Sequence, residues 1–173
     1  FFCNSGAEAN EGALKLSYKY HNGKRSLLLH NLNSFHGKLI ATSQITDSPE
    51  VYFDFQPSLN TKCIDVTDLD LLKETILENK NDIYALILEP FSASLSQPIN
   101  YETLLAICEI CKKEDIVIIF DEVYSGFYRT SSLFYFMNDK NIIPDIVTYS
   151  KSFGGGIASI SGYTVDKLIF TKA

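Results

Sequence analysis

Hydrophobic and polar residues follow one another in blocks along the 173-residue chain, and the blocks predict alternating strands and helices. Apolar runs of strand length, the kind buried on both faces of a parallel sheet, lie at 26–30, 83–90, 115–122 and 145–150, with a further candidate at 160–165. Apolar residues at helical spacing predict helices over 7–23, 65–82 and 101–114 and a short helix within 35–46. Together these blocks predict one layered α/β domain.

The buried faces of two helices can be read from the same spacing. In the first helix they are Ala9, Ala13, Leu14, Leu16 and Tyr20, and Asn22-Gly23 predicts its end. In the helix at 65–82, Thr67 or Asp68 is the expected cap, and the expected buried residues are Leu69, Leu72, Ile76 and Leu77.

Composition narrows the class of protein. The chain is 46% hydrophobic and 21% charged with a net charge of −6, which is typical of a soluble globular protein and gives no basic surface for nucleic acid or an anionic membrane. The sequence has no apolar run of the ~18 residues that a spanning helix needs, and no basic region followed by an apolar region of the kind that marks a signal peptide. A cytoplasmic protein that binds small molecules or other proteins is therefore expected.

The four cysteines, Cys3, Cys63, Cys108 and Cys111, are too scattered for a secreted disulfide framework. The pair Cys108-x-x-Cys111 lies in an apolar helical stretch without a second pair of Cys or His ligands nearby. Packing inside a helix is therefore favoured over a redox or zinc site, and no metal site is predicted.

Three candidate groups are expected on one edge of the sheet, because ligands in such sheets bind at the carboxyl ends of the strands. Glu89, Asp121 and Lys151 each follow or end an apolar run. Asp121 has four interpretations: a solvated strand end, a metal ligand, a general base or the partner of a cationic ligand. Metal-ligand spacing is absent from the sequence around it, which favours an organic cation.

The stretch "NSGAEANE", 4–11, opens the first helix with small residues. Free N–H groups and the positive end of the helix dipole would suit a phosphate there. The alternative is an ordinary capping box, in which Ser5 caps the helix and Glu8 bonds back to it.

Lys151 precedes three glycines, so it differs from a Walker lysine, which follows its glycines. An isolated lysine is most often a surface residue. Beside a phosphate site and a buried carboxylate, it is a candidate Schiff-base nucleophile. Phosphate site, carboxylate and amine together suit pyridoxal 5′-phosphate, whose ring Phe35 could stack on.

Five segments in order resemble the class III pyridoxal-phosphate-dependent aminotransferases, a branch of fold type I: "NSGAEANEGALKL", "SFHGK", "LILEP", "FDEVYSGFYRT" and "PDIVTYSKSFGGG". The resemblance implies a three-layer α/β/α fold with a mostly parallel sheet. It also implies transamination between an amine or amino acid, including the acetylornithine or ω-amino type, and a 2-oxo acid.

The resemblance implies roles for individual residues. Lys151 would form the internal aldimine and shuttle the substrate proton, while Asp121 would pair with the pyridine nitrogen. Gly6 and Ala7 would bind the phosphate. The ring would lie between Val123 and Phe35, Glu89 would orient the site, Arg129 would be structural, and His36 and Tyr124 would line the cofactor.

Several residues depart from the family pattern and leave the substrate open. The family usually has a Gln-Gly stretch where this chain has "FSASLSQP", and Gln-Thr or Met-Thr where it has Tyr124-Ser125. "FYRTSS" replaces the usual "GRTG", and Lys38 replaces the arginine that acetylornithine-type members carry.

Family members are longer, so residues 1–173 are expected to be a partial cofactor-binding large domain without the N-terminal segment and the C-terminal small domain. The full-length protein is expected to be a homodimer. Other hypotheses are a same-fold aminomutase, racemase or decarboxylase and a truncated, non-catalytic remnant. A Rossmann nucleotide binder is disfavoured because G-x-G-x-x-G is absent.

Overall fold

A mixed β-sheet forms the centre of the computed structural model, which describes residues 1–48, 50–51, 59–79 and 81–173. The sheet strands are β1 Phe2–Cys3, β2 Leu27–Asn31, β3 Asn60–Ile64, β4 Ile83–Leu88, β7 Val117–Asp121, β8 Ile146–Tyr149 and β9 Ser161–Val165. A separate hairpin joins β5 Phe91–Ser92 to β6 Gln97–Pro98. The helices are α1 Gly6–Tyr20, α2 Ile40–Ser43, α3 Leu69–Asn79, α4 Tyr101–Lys113 and α5 Lys167–Lys172, with 3₁₀ turns at Tyr135–Asn138 and Lys151–Gly154.

The seven sheet strands lie in the order β1-β9-β8-β7-β4-β2-β3. The five strands from β8 to β3 are parallel, and β9 and β1 extend the sheet in antiparallel fashion. Leu88 pairs with Phe120, and Asp121 pairs with Thr148. The carboxyl ends of β4, β7 and β8 therefore share one edge.

Helices cover both faces of the sheet, because successive residues of a buried strand point to opposite sides. Leu86, Leu88 and Phe120 pack in a core with residues of α3 and α4. Ala85, Ile87 and Ile119 pack on the other face with residues of α1 and α5. The predicted three-layer α/β/α arrangement with a mostly parallel sheet is confirmed.

The strands predicted from apolar runs and the helices α1 and α4 agree with the structure to within a few residues. Helix α3 is shorter than predicted and begins after Asp68, whose Oδ1 accepts hydrogen bonds from the N–H groups of Asp70 and Leu71. The predicted position 80 lies outside the described residues. Placing Leu77 on the buried face was wrong, since its side chain is 67% exposed and α3 packs through Leu72 and Ile76.

Four short or polar strands, β1, β3, β5 and β6, and the short helix α5 were not predicted. β3 has the sequence Asn-Thr-Lys-Cys-Ile at the edge of the sheet, so it lacks the apolar run that identifies a central strand. Cys108 and Cys111 are buried in the core beside α3, which confirms the packing interpretation of this pair. The described helices include none that is long and apolar enough to cross a bilayer.

Arg25 ties together the edge of the sheet opposite the candidate site. Its Nη1 donates to the carbonyl oxygens of Ile83 and Asp115, each at 2.9 Å, and its Nη2 lies 3.5 Å from the Asp115 carboxylate. Ile83 begins β4, Asp115 precedes β7 and Arg25 itself precedes β2. One guanidinium thereby fixes the starting points of three neighbouring strands.

We expect Arg25→Ala to lower the free energy of unfolding by roughly 1–3 kcal/mol, because hydrogen bonds from a charged donor to partly buried carbonyls are lost. Urea denaturation followed by circular dichroism measures the change. The neighbouring, exposed Lys24→Ala is the matched control. Equal effects of the two substitutions would contradict the role given to Arg25.

Candidate active site

A cleft of about 310 Å³ opens at the carboxyl ends of the parallel strands. The candidate residues that line it are Gly6, Ala7, Phe35, His36, Asp121, Val123 and Lys151, together with Asn10, Gly37, Lys38 and Ser150. Glu89 and Tyr124 are not part of this lining, but Glu89 is hydrogen-bonded to Phe35 and the centre of the Tyr124 ring lies 5.3 Å from Lys151 Nζ. Residues distant in the sequence are brought together because β4, β7 and β8 end at the same edge.

A larger cavity, of about 740 Å³, lies along α1 and is lined by residues such as Leu14, Tyr18 and Tyr84. Its lining contains none of the three strand-end groups Glu89, Asp121 and Lys151. The smaller cleft is the candidate active site, because chemistry depends on converging polar groups rather than on volume.

The N-terminus of α1 forms one end of the cleft. Ser5 and Glu8 form the capping box: the Glu8 N–H donates to Ser5 Oγ at 3.3 Å, and the Ser5 N–H donates to Glu8 Oε2 at 2.7 Å. The hydrogen bond to Ser5 lowers the pKa of Glu8. Gly6 and Ala7 precede Ala9, whose N–H makes the bond to Ser5 O that opens the helix, so their N–H groups are free of the helix ladder. The capping box and an anion site can therefore coexist.

Close backbone contacts shape this end of the cleft. A Cβ atom on Gly6 would lie 2.9 Å from a methyl group of Val123, and one on Gly37 would lie 2.5 Å from Ala7 Cβ. Gly37 also has a φ of +134°, which side-chain-bearing residues rarely adopt. The two glycines let α1 approach the segments that follow β2 and β7.

Asp121 is 3% exposed and is held by donors from three parts of the chain. Its Oδ2 accepts hydrogen bonds from Asn10 Nδ2 and His36 Nδ1, each at 2.7 Å. Its Oδ1 accepts one from the Val123 N–H at 3.0 Å, and Thr148 Oγ1 lies 3.4 Å from Oδ1. These bonds compensate the cost of burying the carboxyl group.

The donors around Asp121 leave its carboxylate able to accept a further hydrogen bond. A carboxylate can accept about four hydrogen bonds, and Oδ1 accepts one, from the Val123 N–H. His36 Nε2 is buried and has no hydrogen-bond partner among the described residues. The cleft thus contains unfilled polar capacity, as expected for a ligand site.

Glu89 supports the neighbouring loop. Its Oε2 accepts from the Phe35 N–H at 2.9 Å and its Oε1 from the Ala93 N–H at 3.2 Å. Burial, and then the charge of Asp121, raise the pKa of Glu89 above its usual value. Glu89 therefore fixes the backbone that carries Phe35 and His36.

Lys151 follows β8 in a 3₁₀ turn and has a φ of +42°, a left-handed conformation that is unfavourable for residues other than glycine. Aromatic contacts hold this turn: the Phe153 ring lies 4.6 Å from Phe127 and 5.1 Å from Tyr149, centroid to centroid. Backbone strain maintained in this way is common at functional sites.

Tyr124 and Arg129 contact the lysine turn from the loop after β7. Lys151 Nζ lies 5.3 Å from the centre of the Tyr124 ring, and Arg129 Cζ lies 5.1 Å from it. Arg129 Nη2 also donates to Ser152 Oγ at 3.2 Å. Both cations are thus within range of a cation–π interaction with one ring.

Asn10 and Thr148 are site residues that the sequence pattern did not predict. Both are buried, at 1% and 0% exposure, and both contact Asp121. A signal was present in each case: Asn10 lies on the apolar face of α1 beside Ala9 and Ala13, and Thr148 interrupts an apolar strand. A polar residue at a buried position requires a partner.

A mostly parallel sheet with a lysine, a buried carboxylate and a helix N-terminus at one edge defines the class of fold type I pyridoxal-phosphate-dependent transferases. The family model "Aminotransferase class-III" matches residues 1–172, and the chain belongs to this family.

Curated relatives and solved structures support the same family. The acetylornithine aminotransferase of Haemophilus ducreyi is 37% identical over 179 residues, covering 100% of this chain and 45% of that protein. That of Methanocaldococcus jannaschii is 36% identical, covering 91% and 40%. The chain thus spans less than half the length of these curated relatives.

Among solved structures, the ornithine aminotransferase of Toxoplasma gondii matches with a TM-score of 0.88 and 26% identity over 98% of this chain and 41% of that one. It is described with partial occupancy of PLP at its active site. An (S)-enantioselective omega-transaminase from Thermomicrobium roseum matches with a TM-score of 0.89 and 28% identity, covering 99% and 43%.

The raised pKa of Glu89 gives a pH-dependent prediction. A carboxyl group with a raised folded-state pKa contributes fully to stability below its usual pKa of 4.5, and loses that contribution as the pH rises through the folded-state pKa. We expect the free energy of unfolding of Glu89→Gln, minus that of the wild type, to increase from pH 4.5 to about pH 7. The expected increase is about 1.4 kcal/mol per unit of raised pKa.

Urea denaturation across this pH range measures the difference. Glu102→Gln, at an exposed position of α4, is the matched control for removing one carboxyl group. A difference for Glu89→Gln that stays flat or decreases with pH would contradict the assignment.

Proposed function

We propose that this chain is the cofactor-binding part of a pyridoxal-phosphate-dependent aminotransferase. The observation that carries the proposal is the cleft itself, which is lined by Lys151, by the buried Asp121 and by the N-terminus of α1. An amine, a carboxylate and an anion site are the three groups that hold the aldehyde, ring nitrogen and phosphate of this cofactor. The relatives that are named as aminotransferases support this proposal.

The residues present fit the cofactor. Gly6 and Ala7 would give their free N–H groups to the phosphate, in a cradle that a Cβ on Gly6 would fill. Asp121, with acceptor capacity left on Oδ1, would bind the ring nitrogen. Phe35 and Val123 would hold the ring, and Lys151 would bind the aldehyde.

When bound, the cofactor supplies an electron sink for the substrate's α-carbon. Asp121 would keep the ring nitrogen protonated, and a fixed carboxylate can do so without reorganisation. Lys151 would hold the cofactor through its aldehyde, with loss of water, and its free amine would carry the proton at the substrate's α-carbon. Glu89 orients Phe35, and His36 orients Asp121.

The substrates belong to the same proposal. The donor is an amine or amino acid, and the acetylornithine and ω-amino types are supported by the names of the relatives and structural neighbours. The acceptor is a 2-oxo acid, and the full-length protein acts as a cytoplasmic homodimer. Lys38 and Lys151 are the lysines in the described lining of the cleft, and Lys38 is positioned to attract an anionic substrate group.

The covalent role of Lys151 can be tested by mixing the chain with pyridoxal phosphate, reducing it with borohydride and mapping the labelled peptide by mass spectrometry. We expect the label on the peptide that contains Lys151, together with a visible absorbance band before reduction. Lys151→Ala should lose both. Lys38→Ala, the other lysine of the cleft, should keep both and is the matched control.

A band and label that persist in Lys151→Ala would overturn the assignment. If the label forms on Lys151 but the unreduced cofactor takes up no amino group from any amine donor, the chain binds the cofactor without turnover, and the non-catalytic remnant is favoured.

A further inference from the structure

Asn10 is a buried amide that joins four parts of the candidate site. It lies on α1, 1% exposed, and its Nδ2 donates to Asp121 Oδ2 at 2.7 Å and to the carbonyl oxygen of His36 at 2.8 Å. Its Oδ1 accepts from Thr148 Oγ1 at 2.6 Å. A side-chain amide can make about four hydrogen bonds, and these three leave it well satisfied.

The neighbours of Asn10 fix which way its amide faces. The Asp121 oxygen and the His36 carbonyl are both acceptors, so the NH₂ group must face them. The Thr148 hydroxyl then donates to the amide oxygen. A flipped amide would bring its oxygen against two other oxygens, so these two acceptors set the orientation that serves Asp121, and the hydrogen bond from Thr148 holds the amide there.

Asn10 also connects the two ends of the cleft. It follows Gly6 by four residues on α1, which is about one helical turn. The same rigid helix therefore presents free N–H groups at its first turn and a donor to Asp121 one turn later. The separation between the anion site and the donor that holds the carboxylate is set by helix geometry rather than by a loop.

We propose that Asn10, locked by Thr148, is a positioning residue that holds the Asp121 carboxylate in place for a ring nitrogen. The inference rests on the proposed function. Asn10 acts through Asp121, of which it fixes Oδ2, while Oδ1 keeps the acceptor capacity. Without the amide, His36 would be the remaining short contact on Oδ2, and the carboxyl group could rotate away from its ligand.

The test compares two ligands: pyridoxal phosphate and its analogue in which C–H replaces the ring nitrogen. Both carry the phosphate and the aldehyde, but only the first can pair with Asp121. Absorbance titrations give the ratio of the two dissociation constants for each variant. This ratio reports the nitrogen contact and cancels effects that a structural change has on both ligands.

We expect the wild type to prefer pyridoxal phosphate, and Asn10→Ala to reduce that preference about ten-fold, since hydrogen bonds to a charged group are lost. Thr148→Val keeps the shape of the side chain and should reduce the preference several-fold, whereas Thr148→Ser should retain it. Ser17→Ala is the matched control, because it removes another buried hydrogen bond from α1 that lies outside the cleft lining.

If Asn10→Ala and Thr148→Val weaken the two ligands equally, the residues are structural and the inference is wrong, while the proposed function stands. If the wild type itself binds the two ligands equally, Asp121 does not contact the ring nitrogen, and both the inference and the proposed function are overturned. Should Asn10→Ala fail to fold, Thr148→Val decides the question alone.

Discussion

The burial of one carboxyl group, that of Asp121, is the constraint on which this site depends. A carboxylate taken out of water is costly unless donors surround it. Here the donors come from α1, from the segment after β2 and from the chain just after β7, and Thr148 of β8 holds the donor from α1 in place. The elements that satisfy Asp121 are therefore the same ones that form the walls of the cleft.

The parallel sheet makes this convergence possible. In a parallel arrangement the strands β4, β7 and β8 end at one edge, so groups that lie 30 or more residues apart in the sequence become neighbours. The opposite edge is fixed by Arg25, which ties the starts of β2, β4 and β7. Two glycines, Gly6 and Gly37, then let α1 approach closely enough to close the cleft.

Much of the fold was predictable because the central strands are buried on both faces and read as continuous apolar runs. The edge strand β3 was not predictable in this way, since its polar residues suit an exposed edge. The exposure of Leu77 was missed because helical spacing alone gives a wide apolar face, and the neighbours of α3 decide how much of it is covered.

In the candidate site, too, some residues could be predicted from the sequence and others could not. Asp121 and Lys151 stand out in the sequence because each follows an apolar run, and the resemblance to a family identifies their segments. Asn10 and Thr148 do not stand out, since their importance lies in contacts across the fold, 138 residues apart in sequence. The φ of +42° at Lys151 likewise depends on aromatic packing that no local pattern reveals.

The most direct test of the account is a crystal structure of the chain with pyridoxal phosphate bound. We expect electron density continuous from Lys151 to the cofactor, the ring nitrogen about 2.8 Å from an oxygen of Asp121, and the phosphate on the N–H groups of Gly6 and Ala7. A cofactor whose ring nitrogen faces away from Asp121, or whose phosphate lies away from the N-terminus of α1, would contradict it.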